Sequence, residues 1–334
     1  MIKKDLFLSL IPKLAVCWHI KSLGHIWCLL WGTIIAMPSV GQGLPHTFSD
    51  GEIASAAEVN ENFATIMQTF GVIEDTIFTQ LDARVRLVDF GNTAVGQFAL
   101  PANTTGEFNT AVGYAALFEN TEGEYNTAVG YGALESNLGG IRNSAYGANA
   151  LYENISGNHN IAHGFEALSD NLTGSENVGL GSGALALNVD GSTNTAVGRL
   201  AMSANTSGSD NVALGTYALE GNKVGNENTA VGVQALYRNV ASKNTAVGFL
   251  AAPSNTSGEN NVVMGHKAAY ENETGNNNTA LGYLAMYSNT LGHENTALGY
   301  DALYSNVDGS KNVALGSWAL FTSETGGNLS LIHI

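Results

Sequence analysis

The chain repeats itself every 17 residues, and no other feature constrains its fold as much. NTAVGYAALFENTEGEY (109–125), NTAVGRLAMSANTSGSD (194–210) and NTALGYDALYSNVDGSK (295–311) align without gaps. Copies begin at Asn92, Asn109, Asn126, Asn143, Asn160, Asn177, Asn194, Asn211, Asn228, Asn244, Asn261, Asn278, Asn295 and Asn312, with one residue missing after Asn228. Position 1 is Asn, position 5 Gly and position 8 Ala in all fourteen copies. A residue held constant at fourteen places in one chain meets the same surroundings at each, which is the condition of coils stacked in register.

The columns of that alignment describe a parallel β-solenoid. Position 4 (Val95, Val112, Val129, Leu180, Val197, Leu214) and position 9, nearly always Leu or Met, are expected to form two apolar core columns when coils stack about 4.8 Å apart. Ala at position 3, with Gly179 and Val263 excepted, and Ala at position 8 allow close approach across a thin coil. Gly at positions 5 and 15 is expected to supply positive φ at tight corners. Asn at positions 1 and 12, Ser323 being the exception, suits left-handed corners and can ladder its side-chain amides from coil to coil.

A roll of this circumference, filled largely with Ala and Gly, buries few apolar atoms and is expected to need partners. Tyr114, Tyr131, Phe165, Phe249, Tyr283 and Tyr300 at position 6 are candidate contacts between rolls.

Ahead of the repeat, HTFSDGEIASAAEVNENFATIMQTFGVIEDTIFTQLDARV becomes periodic, with Val59, Phe63, Ile66, Phe70, Ile73 and Ile77 alternating in steps of four and three. That is a coiled-coil seam, so residues 58–86 are expected to form a helical neck that oligomerises; a cap packed on the first coil is the alternative. Leu81 and Val85 continue in steps of four, a stutter that would locally unwind a supercoil.

Residues 1–41 read as an export signal: Lys3, Lys4, Lys13 and Lys21 precede an apolar run from Ile26 to Met37, too short to span a bilayer. Ser39 and Gly41 fit a cut before Gln42, residues 42–57 being a linker. A lipidated Cys28 or an uncleaved membrane anchor are the alternatives. Both cysteines, Cys17 and Cys28, lie in this leader, so no disulfide or thiol chemistry is expected of the mature chain. Without the leader, nine basic and 28 acidic residues remain, a balance of −19 that disfavours nucleic acid and anionic lipid and keeps a long rod soluble.

Constellations for catalysis or metal binding are not evident. The eight His are scattered, and His163 at position 4 reads as a tolerated core residue. Glu119, Glu122, Glu124, Asp190 and Asp308 gather near one corner as a solvated edge, with weak cation binding the sharper reading. No acidic pair departs from the repeat as a glycan-cleaving site would, and no nucleophile triad or phosphate loop stands out. The chain is therefore expected to be non-enzymatic and to need no cofactor or metal. Asn-x-Ser/Thr triplets at Asn103, Asn154, Asn171, Asn205 and Asn255 are by-products of the corner sequence.

Residues 92–327 resemble the head repeats of YadA-like trimeric autotransporter adhesins, carried by copies such as NTAVGYAALFENTEGEY, and also the repeats that precede the chaperone domain of tail-fibre-like proteins. The resemblance implies a left-handed parallel β-roll, a homotrimer, and an adhesive or fibre function at a cell surface; the leader argues against a phage fibre. The expected architecture is all-β: a β-solenoid over 87–327 of about 14 coils, preceded by the neck and followed by 328–334. The last six residues, LSLIHI, break the repeat and resemble a translated sequencing-library adapter, which implies that the natural chain continues.

The expectation for function is a secreted or surface-displayed rod that binds itself and a host, matrix or glycan surface by many weak contacts, with a membrane only through an anchor. An ice-binding solenoid is the alternative, on the Thr column of Thr93, Thr110, Thr127, Thr195, Thr229, Thr245, Thr279 and Thr296. A glycan-binding or glycan-cleaving spike is another.

Overall fold

The computed structural model describes residues 16–20, 25–30, 33–38, 85–88 and 91–332. The chain divides into two compact units, residues 1–81 and 82–334. In the first, strands β1 (Val16–Ile20), β2 (His25–Leu30) and β3 (Thr33–Pro38) form an antiparallel sheet in that order, inside the expected export signal. The neck seam residues Val59, Phe63, Ile66, Phe70, Ile73 and Ile77, like the linker, lie outside the described residues. No helix long and apolar enough to cross a membrane occurs among the described residues.

The second unit is a single parallel β-solenoid of about fourteen turns. Strands β5 (Asn92–Val95) through β18 (Val313–Leu315) and then β19 (Ser330–Ile332) follow one another in sequence order across one sheet. Like residues face like: Thr110 lies opposite Thr127, Ala111 opposite Ala128 and Val112 opposite Val129. Strand β4 (Val85–Val88) pairs antiparallel with β5, placing Val85 opposite Val95. The expected helix over 58–86 therefore does not extend to its predicted end, because Val85 and Arg86 belong to a strand that covers the sheet's first edge and satisfies its open backbone groups.

Backbone hydrogen bonds run from coil to coil around nearly the whole circumference, not only in the short strands. Between the third and fourth coils, Thr127 N–H donates to Asn143 O at 2.9 Å, Leu134 to Ala150 at 3.0 Å, Ser136 to Tyr152 at 3.0 Å and Leu138 to Ile155 at 3.1 Å. Each turn thereby satisfies its backbone against its neighbours, which is how so thin a roll avoids buried orphan groups.

The core corrects the expected apolar columns. Ala at positions 3 and 8 and Leu or Met at position 9 are buried, as at Ala128, Ala133 and Leu134, whereas position 4 points outward. Leu214, Met264 and Leu298 at position 4 are 37%, 49% and 47% exposed. The reason is the strand's period of two: once Ala at position 3 faces inward, Thr at position 2 and Val at position 4 must both face out. Each Leu of position 9 buried from water is worth roughly 2 kcal/mol, and the interior holds little else that is large.

The corners are also built differently. Neither Asn column sits at positive φ; positions 9 and 17 do in nearly every coil, joined by position 7, with non-glycine φ between 45° and 63°. Gly at position 5 does take positive φ, as at Gly130 (143°), where a Cβ would also meet Gly147 O at 2.4 Å. Gly at position 15 is required for space and not for φ. A Cβ on Gly140 would meet Asn137 Oδ1 at 2.4 Å, Gly157 O at 2.5 Å and Asn154 Nδ2 at 2.7 Å.

The departure of LSLIHI from the repeat has a structural counterpart. Leu329 N–H still donates to Asn312 Oδ1 at 2.9 Å and β19 keeps register, but Leu331, at the position filled by buried Ala in most coils, is 40% exposed.

Candidate functional site

Fourteen Asn side chains of position 1 are buried inside the roll, where they form a continuous ladder. Asn109 N–H donates to Asn92 Oδ1 at 2.7 Å, and Asn126 N–H to Asn109 Oδ1 at 2.9 Å. The same series runs through Asn143, Asn160, Asn177, Asn194, Asn211, Asn228, Asn244, Asn261, Asn278, Asn295 and Asn312. A second ladder runs through position 12, where Asn137 Nδ2 donates to Asn120 Oδ1 at 2.7 Å. Both converge on one acceptor per coil: Gly123 O receives Asn109 Nδ2 at 2.7 Å and Asn120 Nδ2 at 3.1 Å. These residues tie the coil across its interior and do not form a ligand site.

That burial also settles the Asn-x-Ser/Thr triplets in the folded chain. The amides of Asn154, Asn171, Asn205 and Asn255 are enclosed and spent on their neighbours, and Asn103 donates to Gly106 O at 2.9 Å. A third ladder escaped the sequence reading. At position 16, Asn158 N–H donates to Ser175 Oγ at 3.0 Å, Ser175 to Ser192 Oγ at 3.1 Å and Asn276 to His293 Nδ1 at 3.0 Å. Its members differ in type, so no constant letter marked the column.

Two outward faces can meet a partner. The first is the sheet's outer surface, formed by positions 2 and 4. The column Thr93, Thr110, Thr127, Thr195, Thr229, Thr245, Thr279 and Thr296 shares this face with the position-4 residues, and neither position carries Asp, Glu, Lys or Arg in any coil. His163 belongs here, exposed and edge-on to Tyr146 at 4.5 Å between ring centroids, not in the core where it was expected.

The second face is aromatic. Tyr114, Tyr131, Phe165, Phe249, Tyr283 and Tyr300 at position 6 are all exposed. Tyr114 stacks on Tyr131 at 5.3 Å, and Phe249, His266, Tyr283 and Tyr300 form one run with centroids 5.1–5.4 Å apart. A parallel run at position 10, Tyr270, Tyr287, Tyr304 and Phe321, repeats every 5.1 Å. The sequence expectation covers the position-6 column alone; the position-10 column, and the fact that the two flank each other, emerge only with the closure of the turn.

Position 7 lies between them. Trp318 touches Tyr300 at 5.7 Å and Phe321 at 4.8 Å, and Phe98 reaches Tyr114 and Phe118 in the same manner at 5.6 and 6.3 Å. In the thirteenth coil that intermediate position is Asp301, 5% exposed, whose Oδ1 is buried without a hydrogen-bond partner. Burial pushes its carboxyl above the ordinary 3.8. The Tyr287 phenol is likewise raised above 10.0, first by burial and then by the Glu271 charge.

The acidic residues Glu119, Glu122, Glu124, Asp190 and Asp308 do not assemble: no group of three His, Cys, Asp or Glu placed to hold a metal occurs among the described residues. Comparison with family models, curated proteins and solved structures finds no match to this chain.

Proposed function

We propose that the protein is an exported, non-enzymatic rod with a structural and adhesive role, binding matrix, glycan or cell surfaces through contacts repeated along its length. One observation carries the reading: the parallel strands stay in register from β5 to β19, so every outward column presents its side chains once per coil. A surface built this way gains strength from the number of weak contacts and not from one deep pocket. The left-handed winding, the homotrimer, the helical neck and the surface location belong to the same reading, which follows the resemblance to YadA-like adhesin heads.

The outer sheet face supports self-association as part of it. A long strip free of ionised side chains on a chain of net charge −16 is where two acidic copies can approach without repulsion. In this reading the rolls meet through positions 2 and 4, and not through the position-6 rings of the sequence expectation, which stay available to other partners.

Purified full-length rod should sediment as an oligomer and bind cells or extracellular matrix. An oligomer that binds no surface counts against adhesion.

Ice binding is a second reading, favoured by one specific observation: Thr of position 2 and Val or Leu of position 4 lie side by side on one regular exposed face. Thermal hysteresis of the full chain decides it, and a solution that freezes as buffer does dismisses the idea.

A further inference from the structure

We propose that positions 6, 7 and 10 of the eleventh to fourteenth coils form a binding track for an uncharged polysaccharide chain laid along the roll axis, with Asp301 as its central hydrogen-bonding group. The inference rests on the surface-binding reading above and names its ligand class.

The argument begins with what the rings have left to offer. Tyr283 and Tyr300 are parallel within 7°, and Tyr287 and Tyr304 within 6°, so their faces are spent on one another and they present edges and phenol hydroxyls outward. The track is thus two polar-edged rows on apolar supports, with hydroxyls at Tyr283, Tyr300 and Ser317 in one row and at Tyr270, Tyr287 and Tyr304 in the other, and with His266 and Phe321 as the two members that lack one. Such a surface suits a polyol, whose rings are apolar on their faces and hydroxylated at their rims.

Asp301 is the second, independent observation. Position 7 holds Ala115, Gln234 or Leu284 in other coils, so the fold does not need a carboxylate there. An acid nine-tenths buried, with an enclosed oxygen lacking any donor, costs the fold free energy that a ligand hydroxyl would return once the carboxylate turns outward between the ring rows.

Other occupants fit less well. A peptide cannot add as a strand, since the backbone donors of this face are already used: Leu284 N–H goes to His266 O at 3.1 Å, Asp301 to Tyr283 O at 3.0 Å and Trp318 to Tyr300 O at 2.9 Å. An extended peptide also advances about 3.3 Å per residue, out of step with rings 5.1–5.2 Å apart. A β-1,4-linked pyranose chain advances by a length comparable to the ring spacing. Polyanions meet Asp301 and Glu271 with Lys267 as the single cation between the ladders.

The test uses the full chain, pull-down on insoluble cellulose and chitin, and calorimetric titration with their hexasaccharides. Two variants use residues the chain itself carries in these columns. Tyr283→Ser, Tyr300→Ser, Tyr287→Ser and Tyr304→Ser combined follow Ser182 and Ser203, and Asp301→Leu follows Leu284. The expected result is binding of at least one polysaccharide by the unaltered protein, weakened at least about tenfold in each variant, while Asp301→Leu melts higher than the parent. Binding that survives both variants overturns the site. Cell or matrix binding by a rod that ignores both polysaccharides overturns the ligand class and leaves the rod reading standing; binding to phosphatidylcholine vesicles alone, lost in the serine variant, does the same. A protein that binds no surface at all removes both.

Discussion

Asn239 Nδ2 donates to Ala241 O at 2.7 Å but, unlike Asn137, which bonds both its own coil's Gly140 O and Asn120 Oδ1, it does not reach the Oδ1 of Asn222, one coil earlier in the same column, which is left without a donor. The cause is the one missing residue of the ninth coil. Ala241 fills the position-15 role, also receiving Asn228 Nδ2 at 2.8 Å, so the gap falls between Asn239 and Ala241, where only Val240 remains. The ladder resumes above, with Asn255 Nδ2 on Asn239 Oδ1 at 2.6 Å.

Restoring the missing residue should therefore strengthen the roll. Inserting Asp after Val240 together with Ala241→Gly recreates the Asn-Val-Asp-Gly-Ser-Lys of residues 306–311. The orphan Oδ1 costs about 1–3 kcal/mol, so the urea midpoint should rise and amide exchange in the eighth and ninth coils should slow. An unchanged midpoint would mean that the fault is relaxed by other means.

Asn306 Oδ1 is orphaned for a different reason: the next residue in its column is Ser323, too short to reach. Ser323→Asn should extend the ladder by one rung and add about 1 kcal/mol, read as a higher melting temperature, while Ser323→Ala leaves it unchanged.

Two adjacent glycines should respond oppositely to one methyl group. Gly140→Ala drives a Cβ into Asn137, Gly157 and Asn154, and should cost at least about 3 kcal/mol or prevent folding. Gly139→Ala meets nothing within 4 Å and should stay within about 0.5 kcal/mol of the parent. Thermal melts of the pair check this.

Asp301 makes a pH prediction whose sign is opposite to that of most acids. Its folded value is raised by burial, so the unfolded chain gives up the proton first as pH rises. Its contribution is present in full below the ordinary 3.8 and is lost as pH climbs through the raised folded value. Asp301→Leu should therefore be more stable than the parent at pH 7, with a gap that narrows as pH falls towards 3.8; urea titrations across that range measure it.

Charge placed on the outer sheet face should dissolve the oligomer without unfolding the roll. Val197→Lys and Leu281→Lys change outward side chains of half-buried columns, so circular dichroism should be retained while sedimentation shifts to the monomer. Loss of both signals together would place these residues in folding and not in association.

Much of this was legible in the letters alone. A constant Asn, Gly and Ala at a 17-residue spacing leave stacked coils as the arrangement that gives every copy the same environment, and the ladder at Asn92 to Asn312 follows from it. Which side of the strand faces in was not legible: Thr-Ala-Val reads equally well either way until the turn closes and makes Ala128 the inward residue and Val129 the outward one. Equally, sequence placed Gly140 in a constant column but not its reason, which is the amides of Asn137 and Asn154 a few ångströms away. The repeat determined that residues meet their equivalents along the axis, because translation by one coil is written in the period. Only the tertiary structure decided what meets across and around a coil, as Asp301 between two rows of rings, since those contacts depend on where the backbone bends and not on how often it repeats.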